Sequence, residues 1–225
     1  KALITATRTL DTMRHGRQMG IVASLDEIDF GQLRDYREHT VATMTQGLRG
    51  LVAFRKITVY QGEASLDADR TVHVDPSDGN AHVRRYAEDG GFEDVDEHLE
   101  IQAADVVIAT GSNARQLPGA EFDEVNILSN DGALRVGATP KKLGVIGSGV
   151  IGLEMGSVWR RLGAEVTILE ALPTFLGAAD EGVAKEALKV FTKQGLKIEL
   201  GVKISEVKNG KKGVSVAYTN AKGEA

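Results

Sequence analysis

Residues 142–170 constrain this chain more than any other stretch. Lys142-Leu-Gly-Val-Ile146 is a strand-sized run that feeds straight into Gly147-Ser-Gly149-Val-Ile-Gly152. A helical pattern follows to Leu162, and a second strand, 165–169, ends at Glu170. With 26 glycines in the chain, the spacing Gly-x-Gly-x-x-Gly is unspecific by itself. The order strand, glycine turn, helix, strand, acid is what restricts the fold to an α/β, Rossmann-like βαβ unit. In such a unit the first glycine permits a tight turn. The second lets backbone approach a pyrophosphate, and the third lets helix and strand pack closely. The helix N-terminus offers free N–H groups and a positive dipole end to phosphates. Glu170 follows Gly152 by about 18 residues, close to the spacing of an acid that accepts hydrogen bonds from the adenosine ribose. A carboxylate there repels a 2′-phosphate, so the pattern favours NAD over NADP.

Elsewhere the periodicity is plainer. Leu3, Ala6 and Leu10 share one face of a helix over 1–14, with Gly16 as its stop. Residues 18–22 read as a short extended piece. Asp29 is a candidate N-cap for a long helix from Gly31 to Phe54, whose stripe is Leu33, Tyr36, Val41, Met44, Leu48, Leu51 and Val52. A hairpin is expected over 57–75, with strands 57–60 and 71–74 around Asp67-Ala-Asp-Arg70. The acid- and glycine-rich 76–97 reads as an exposed insertion. A strand at 99–101 is followed by Asp105-Val-Val-Ile-Ala-Thr-Gly111, which has the look of a strand buried on both faces. Residues 112–140 form a connector punctuated by Pro118, Gly119, Gly137 and Pro140. Beyond the βαβ unit come a helix near 180–194 and strands near 197–200 and 213–218. Trp159 is expected in the core, and Gly156 is expected to serve close packing.

Several chemistries are excluded. The chain has no cysteine, so it holds no disulfide, zinc-thiolate site or cysteine nucleophile. The net charge is −5, and Arg14, Arg17, Arg34 and Arg37 are dispersed among acids, as on a solvated helix face rather than a nucleic-acid footprint. No apolar run reaches the roughly 18 residues of a membrane span, which fits a cytoplasmic protein. Ser112 follows Thr-Gly, but there is no nucleophile elbow. The histidines, His15, His39, His73, His82 and His98, show no metal-ligand spacing in sequence, and no metal is expected. The chain opens at Lys1-Ala-Leu-Ile, without Met, and stops at Lys222-Gly-Glu-Ala225, so both ends read as the interior of a longer protein.

The run Gly147-Ser-Gly-Val-Ile-Gly-Leu-Glu-Met-Gly-Ser-Val-Trp-Arg-Arg-Leu-Gly-Ala-Glu-Val-Thr-Ile-Leu-Glu170 closely resembles the NAD-binding segment of the dihydrolipoamide dehydrogenase family, flavoprotein pyridine nucleotide-disulfide oxidoreductases. Val107-Ile-Ala-Thr-Gly-Ser112 is similar to that family's FAD-contacting strand end. Lys1-Ala-Leu resembles the residues just after its redox Cys-x4-Cys pair. The resemblance extends over nearly the whole chain, with a longer segment at 76–97. It implies two Rossmann-like nucleotide-binding domains with a β-hairpin or meander insertion: a partial FAD-binding domain at 1–115, a connector at 116–140 and an NAD-binding domain at 141–225. It also implies roles. Lys1 would sit beside the flavin, with Glu154 as its partner carboxylate near flavin and nicotinamide. Gly62, Thr110, Gly111 and Ser112 would contact FAD. Gly147, Ser148, Gly149, Val150, Ile151, Gly152, Leu153, Glu154 and Glu170 would hold NAD, with Ile204 lining the adenine pocket.

The same resemblance implies cofactors FAD and NAD, lipoyl domains of 2-oxo acid dehydrogenase complexes as partners, and a homodimer. The redox cysteines, the first FAD-binding glycine motif and the C-terminal domain carrying the family's His-Glu pair have no counterpart in this chain. It therefore reads as an interior fragment without catalytic residues, inactive by itself, retaining FAD poorly and leaving apolar sheet faces uncovered. The alternatives are a sister FAD/NAD(P) disulfide reductase or transhydrogenase, and a non-catalytic nucleotide-binding module.

Overall fold

A computed structural model describes residues 1–77, 79–87, 90–211 and 213–224. In chain order the elements are α1 (Ala2–His15), a 3-10 turn (Gly16–Met19), α2 (Phe30–Phe54), β1 (Tyr60–Gln61), β2 (Glu63–Leu66), β3 (Thr71–Asp75), β4 (Val83–Tyr86), β5 (Phe92–Asp96) and β6 (Leu99–Gln102). They continue with α3 (Asn130–Ala133), β7 (Lys142–Ile146), α4 (Val150–Leu162), β8 (Glu165–Leu169), α5 (Glu181–Lys193), β9 (Lys197–Glu199), β10 (Lys203–Gly210) and β11 (Gly213–Thr219). The result is mixed α/β. Two compact units can be distinguished: residues 1–38 with 113–225, and residues 39–112. Among the described residues no helix is long and apolar enough to cross a membrane.

The first unit is built on a parallel sheet ordered β7-β8-β9. Parallel neighbours need a crossover, and α4 and α5 supply them. α4 has no proline and turns Leu153, Gly156, Ser157, Val158, Trp159 and Leu162 inward. It stops at Gly163, whose left-handed φ of 114° lets the cap N–H reach Trp159 and Arg160 carbonyls. Its buried face meets Val166 and Ile168 of β8 and Leu196 before β9. Burying each large apolar side chain in this layer contributes about 1.5–3 kcal/mol. α5 begins at Asp180, whose side chain accepts from the Gly182 and Val183 N–H groups.

α1 lies on the same core, with Leu3 buried among the α4 residues. Arg161 Nε donates to Asp11 Oδ2 at 2.6 Å, and Arg14 Nη1 to the Arg161 carbonyl at 2.8 Å. Phe30, at the start of α2, stacks on Trp159 with centroids 6.4 Å apart. Asp29 caps α2 as the sequence predicts, accepting from Gln32 N–H at 3.0 Å. α1 ends at His15 with Gly16 as its C-cap, as the sequence predicts, but Gly16 is not left-handed. The chain continues as a 3-10 turn to Gly20, where φ is 79°, so 18–22 is no extended piece. The apolar stripe of α2 forms, but Val41, Met44, Leu48 and Leu51 are exposed. β10 and β11 close this unit as an antiparallel hairpin with a bulge between Ile204 and Glu206.

The second unit holds two antiparallel sheets, β2-β3-β6 and β1-β4-β5. The hairpin around 67–70 is present, but its first strand is 63–66, not 57–60. Leu66 pairs with Val72, and Thr71 N–H reaches back to Asp69 Oδ1, fixing a register that the four-residue turn dictates. Tyr60 and Gln61 pair instead with β4. Within 76–97, of which residues 78, 88 and 89 lie outside the described ones, β4 and β5 form a second hairpin; β5 is exposed as the sequence predicts, whereas Val83 of β4 is fully buried. The largest departure is 105–111, expected as a buried strand. No described strand runs beside it, so it has no ladder, and Val107 and Ile108 are 86% and 74% exposed. An apolar run becomes a strand only where partners satisfy its N–H and C=O groups.

Two predictions follow from this packing. A Cβ at Gly152 would lie 2.1 Å from the Gly147 carbonyl oxygen, which is backbone and cannot swing aside. Gly152→Ala should therefore destabilise the first unit by about 1–3 kcal/mol in a denaturant titration. Asp123 gathers the Val125, Asn126 and Ile127 N–H groups on Oδ1, and Asn209 Nδ2 on Oδ2. These bonds hold its carboxyl down from 3.8 to about 2. Because the folded value is the lower one, this stabilisation is complete above the unfolded value and disappears as pH falls through about 2. Asp123→Ala should thus lower the melting temperature at pH 7, and the difference from wild type should close near pH 2.

Candidate functional site

The turn from β7 into α4 is where the first unit gathers polar groups without filling the space before them. Gly147 takes φ 104°, and its N–H donates to the Leu169 carbonyl at 2.8 Å, tying the turn to the end of β8. That backbone conformation is strained for any residue with a Cβ. Gly149 caps α4 in an extended conformation, and a Cβ there would meet nothing within 4 Å. Gly152 and Gly156 face the sheet. A Cβ on Gly156 would sit 3.2 Å from Ile168 and 3.4 Å from Leu196 and Val166. The space in front of Gly149 is therefore open to solvent, and the space behind Gly152 is full. The first-turn residues Val150 and Ile151 are exposed, so the helix end with its unpaired N–H groups faces outward.

Glu170 closes the other side. Its Oε2 accepts from Ser148 N–H at 2.7 Å and Ser148 Oγ at 3.0 Å, and its Oε1 from Leu172 N–H at 2.9 Å. Ser148 is 1% exposed and Glu170 is half-buried. Burial pushes the carboxyl up, but the Leu172 and Ser148 bonds outweigh it and leave the group below its ordinary value, ionised at neutral pH. A carboxylate offers about four acceptor positions. Ser148 and Leu172 take three and the Ala171 N–H also points at the carboxyl, so an added hydroxyl would take the place of the rotatable Ser148 hydroxyl. The Glu170 backbone bridges onward. Its N–H donates to the Glu199 carbonyl at 2.8 Å, and its carbonyl accepts from Val202 at 2.9 Å. This draws the start of β10, which carries half-buried Ile204, toward the end of β8. The residues present suit an adenine dinucleotide: a cradle a Cβ would fill, an outward helix N-terminus and a fixed carboxylate.

Lys1, Glu154, Gly62 and Thr110–Ser112 lie outside this turn. Lys1 is exposed and Glu154 half-buried, and no ion pair joins them among the described residues. Gly62 sits between β1 and β2, where a Cβ would lie 2.4 Å from the Asp75 carbonyl oxygen. Packing against β3 therefore already accounts for the missing side chain. Thr110, Gly111 and Ser112 are exposed and outside any strand, with Gly111 at φ 78°. Gly62 and 110–112 belong to one compact unit and Lys1 to the other.

Residues 9–225 match the pyridine nucleotide-disulphide oxidoreductase family. The chain is 46% identical over 227 residues to a dihydrolipoyl dehydrogenase of Cupriavidus necator, covering 100% of the chain and 44% of that protein. It is 34% identical over 223 residues to a mitochondrial dihydrolipoyl dehydrogenase of Schizosaccharomyces pombe, covering 99% of the chain and 40% of that relative. Its fold matches the crystal structure of LpdA from Mycobacterium tuberculosis with a TM-score of 0.70 at 22% identity, over 100% of this chain and 45% of that one. The chain thus spans less than half the length of these relatives. Its glycine turn, fold and sequence together show that it belongs to the pyridine nucleotide-disulphide oxidoreductase family.

Proposed function

We propose that this chain is the nucleotide-handling interior of a dihydrolipoyl dehydrogenase. The whole protein would oxidise dihydrolipoamide carried on lipoyl domains and pass the electrons, by way of a redox disulphide and FAD, to NAD. It would do so as a cytoplasmic homodimer serving a 2-oxo acid dehydrogenase complex. Residues 141–225 would be the NAD-binding domain, 116–140 a connector and 1–115 part of the FAD-binding domain. The chain has no cysteine, so the thiol–disulphide step lies outside it.

The observation that carries this reading is Glu170, ionised and held at both oxygens beside the glycine turn. Bound NAD would rest its pyrophosphate before Gly149 and the α4 N-terminus, where Val150, Ile151, Gly152 and Leu153 begin the helix. Glu170 would accept from the ribose diol, with Ile204 near the adenine. A 2′-phosphate would bring like charge against the carboxylate, in a place the Ser148 bonds prevent it from leaving. Glu154, one turn into α4, would face the reactive end of the nicotinamide. Gly62, Thr110, Gly111, Ser112 and Lys1 would meet FAD.

Calorimetric titration of the 225-residue chain tests the nucleotide assignment. NADH should bind at least about tenfold more tightly than NADPH, a gap of about 1.4 kcal/mol. Glu170→Ala should narrow that gap. Gly149→Ala should weaken NADH by about tenfold or more while leaving the melting temperature unchanged, because its Cβ meets nothing in the chain. Equal or tighter binding of NADPH by wild type would overturn the assignment. The activity itself is tested on the whole protein, which should reduce NAD with dihydrolipoamide, whereas the 225-residue chain alone should not turn over.

A further inference from the structure

Four side chains from two neighbouring strands crowd one face of the β2-β3-β6 sheet. His73 of β3 pairs directly with Glu100 of β6, and one step along the ladder Asp75 faces His98, just before β6. Alternation along the strands places all four on the same side. His73 Nδ1 lies 3.4 Å from His98 Nε2 and 3.6 Å from Glu100 Oε1, and His98 Nε2 lies 3.7 Å from that oxygen. The other ring nitrogens turn away to carboxylates. His73 Nε2 is 3.0 Å from Asp67 Oδ2, and His98 Nδ1 is 2.7 Å from Asp75 Oδ1.

An ionised carboxylate can only accept, so each outer ring nitrogen carries its proton. In the neutral rings His73 Nδ1 and His98 Nε2 then present lone pairs to one another and to Glu100 Oε1. Three acceptors then converge, and only an added proton or a metal ion can sit between them. Two imidazoles ringed by Asp67, Asp75 and Glu100 also concentrate negative charge at one spot, and a dication would relieve both conflicts. The spacing suits it. A tetrahedral metal with ligands at 2.0–2.1 Å sets those ligands about 3.3 Å apart. Histidines whose second nitrogen donates to a carboxylate are oriented and made more basic as ligands.

The geometry points to a divalent transition-metal site formed by His73 Nδ1, His98 Nε2 and Glu100 Oε1, with Asp67 and Asp75 as positioning residues. Two imidazoles and a carboxylate suit zinc, copper or nickel rather than calcium or magnesium. His73 is largely covered and Glu100 open to solvent, so water would complete the coordination shell. A bound ion would clamp β3 to β6 across the hairpin. No such cluster is visible along the chain. His73-Val-Asp75 and His98-Leu-Glu100 are distant in sequence and meet only through strand pairing.

Zinc alone is the probe, added to the tag-free 225-residue chain and followed by equilibrium dialysis and calorimetry. One zinc per chain should bind with a dissociation constant in the micromolar range. His73→Gln, His98→Gln and Glu100→Gln should each weaken it strongly, and Asp75→Asn by about 10- to 100-fold. His15→Gln, His39→Gln and His82→Gln should leave binding unchanged. Glu100 is exposed, so Glu100→Gln reports on the site even if the histidine variants fail to fold, and far-UV circular dichroism identifies that case. Absence of binding up to about 1 mM zinc, or affinity unaltered in Glu100→Gln, would overturn the site.

Discussion

The close seating of α4 on its sheet is the constraint from which the rest of the first unit follows. Helix and turn approach until a Cβ at Gly152 would strike the Gly147 carbonyl, and helix and sheet until one at Gly156 would press on Ile168, Leu196 and Val166. Packing at that distance fixes where the helix begins, and so where its free N–H groups point. It also fixes the end of β8, because Gly147 is tied to Leu169 and Ser148 to Glu170. The open space in front of Gly149 and the filled space behind Gly152 are two faces of one packing decision. α1 and Phe30 then cover the far side of α4 through Leu3, Asp11 and Trp159.

Local chemistry made that half of the chain readable. Its strands are short apolar runs, its turn is specified by glycines and its helix by an apolar stripe, so residues 142–170 carry their own instructions. Asp29 was legible as a cap for the same reason. Where long-range pairing decides, the residues said less. Val107 and Ile108 have the composition of a buried strand, yet an apolar run without neighbours stays irregular. Tyr60 looks like part of a hairpin with 71–74 but pairs with Arg85 of β4. β10 is not legible in the sequence because Lys203, Ser205, Glu206, Lys208 and Asn209 break its apolar rhythm.

The candidate site divides along the same line. The Gly147–Glu170 set is contiguous and rests on one βαβ unit, and the structure brings it together. Lys1 in one compact unit, and Gly62 and Thr110–Ser112 in the other, rest on the resemblance alone. His73, His98 and Glu100 are the converse case, unremarkable along the chain and adjacent once β3 and β6 pair. Periodicity can place a residue on a face, but it cannot say which other strand shares that face.

The double anchorage of Glu170 bears on how a ligand would be met. A surface glutamate samples several rotamers, and fixing one on binding costs about 0.5–1.5 kcal/mol. Here Ser148 and Leu172 have already chosen the rotamer when the chain folds. On the proposed reading a nucleotide would find its acceptor ready-made, and the Ser148 hydroxyl is the donor that can rotate aside for it. Preorganisation of this kind would leave selectivity to charge and shape rather than to induced movement, with the acceptor set by the fold before any ligand arrives.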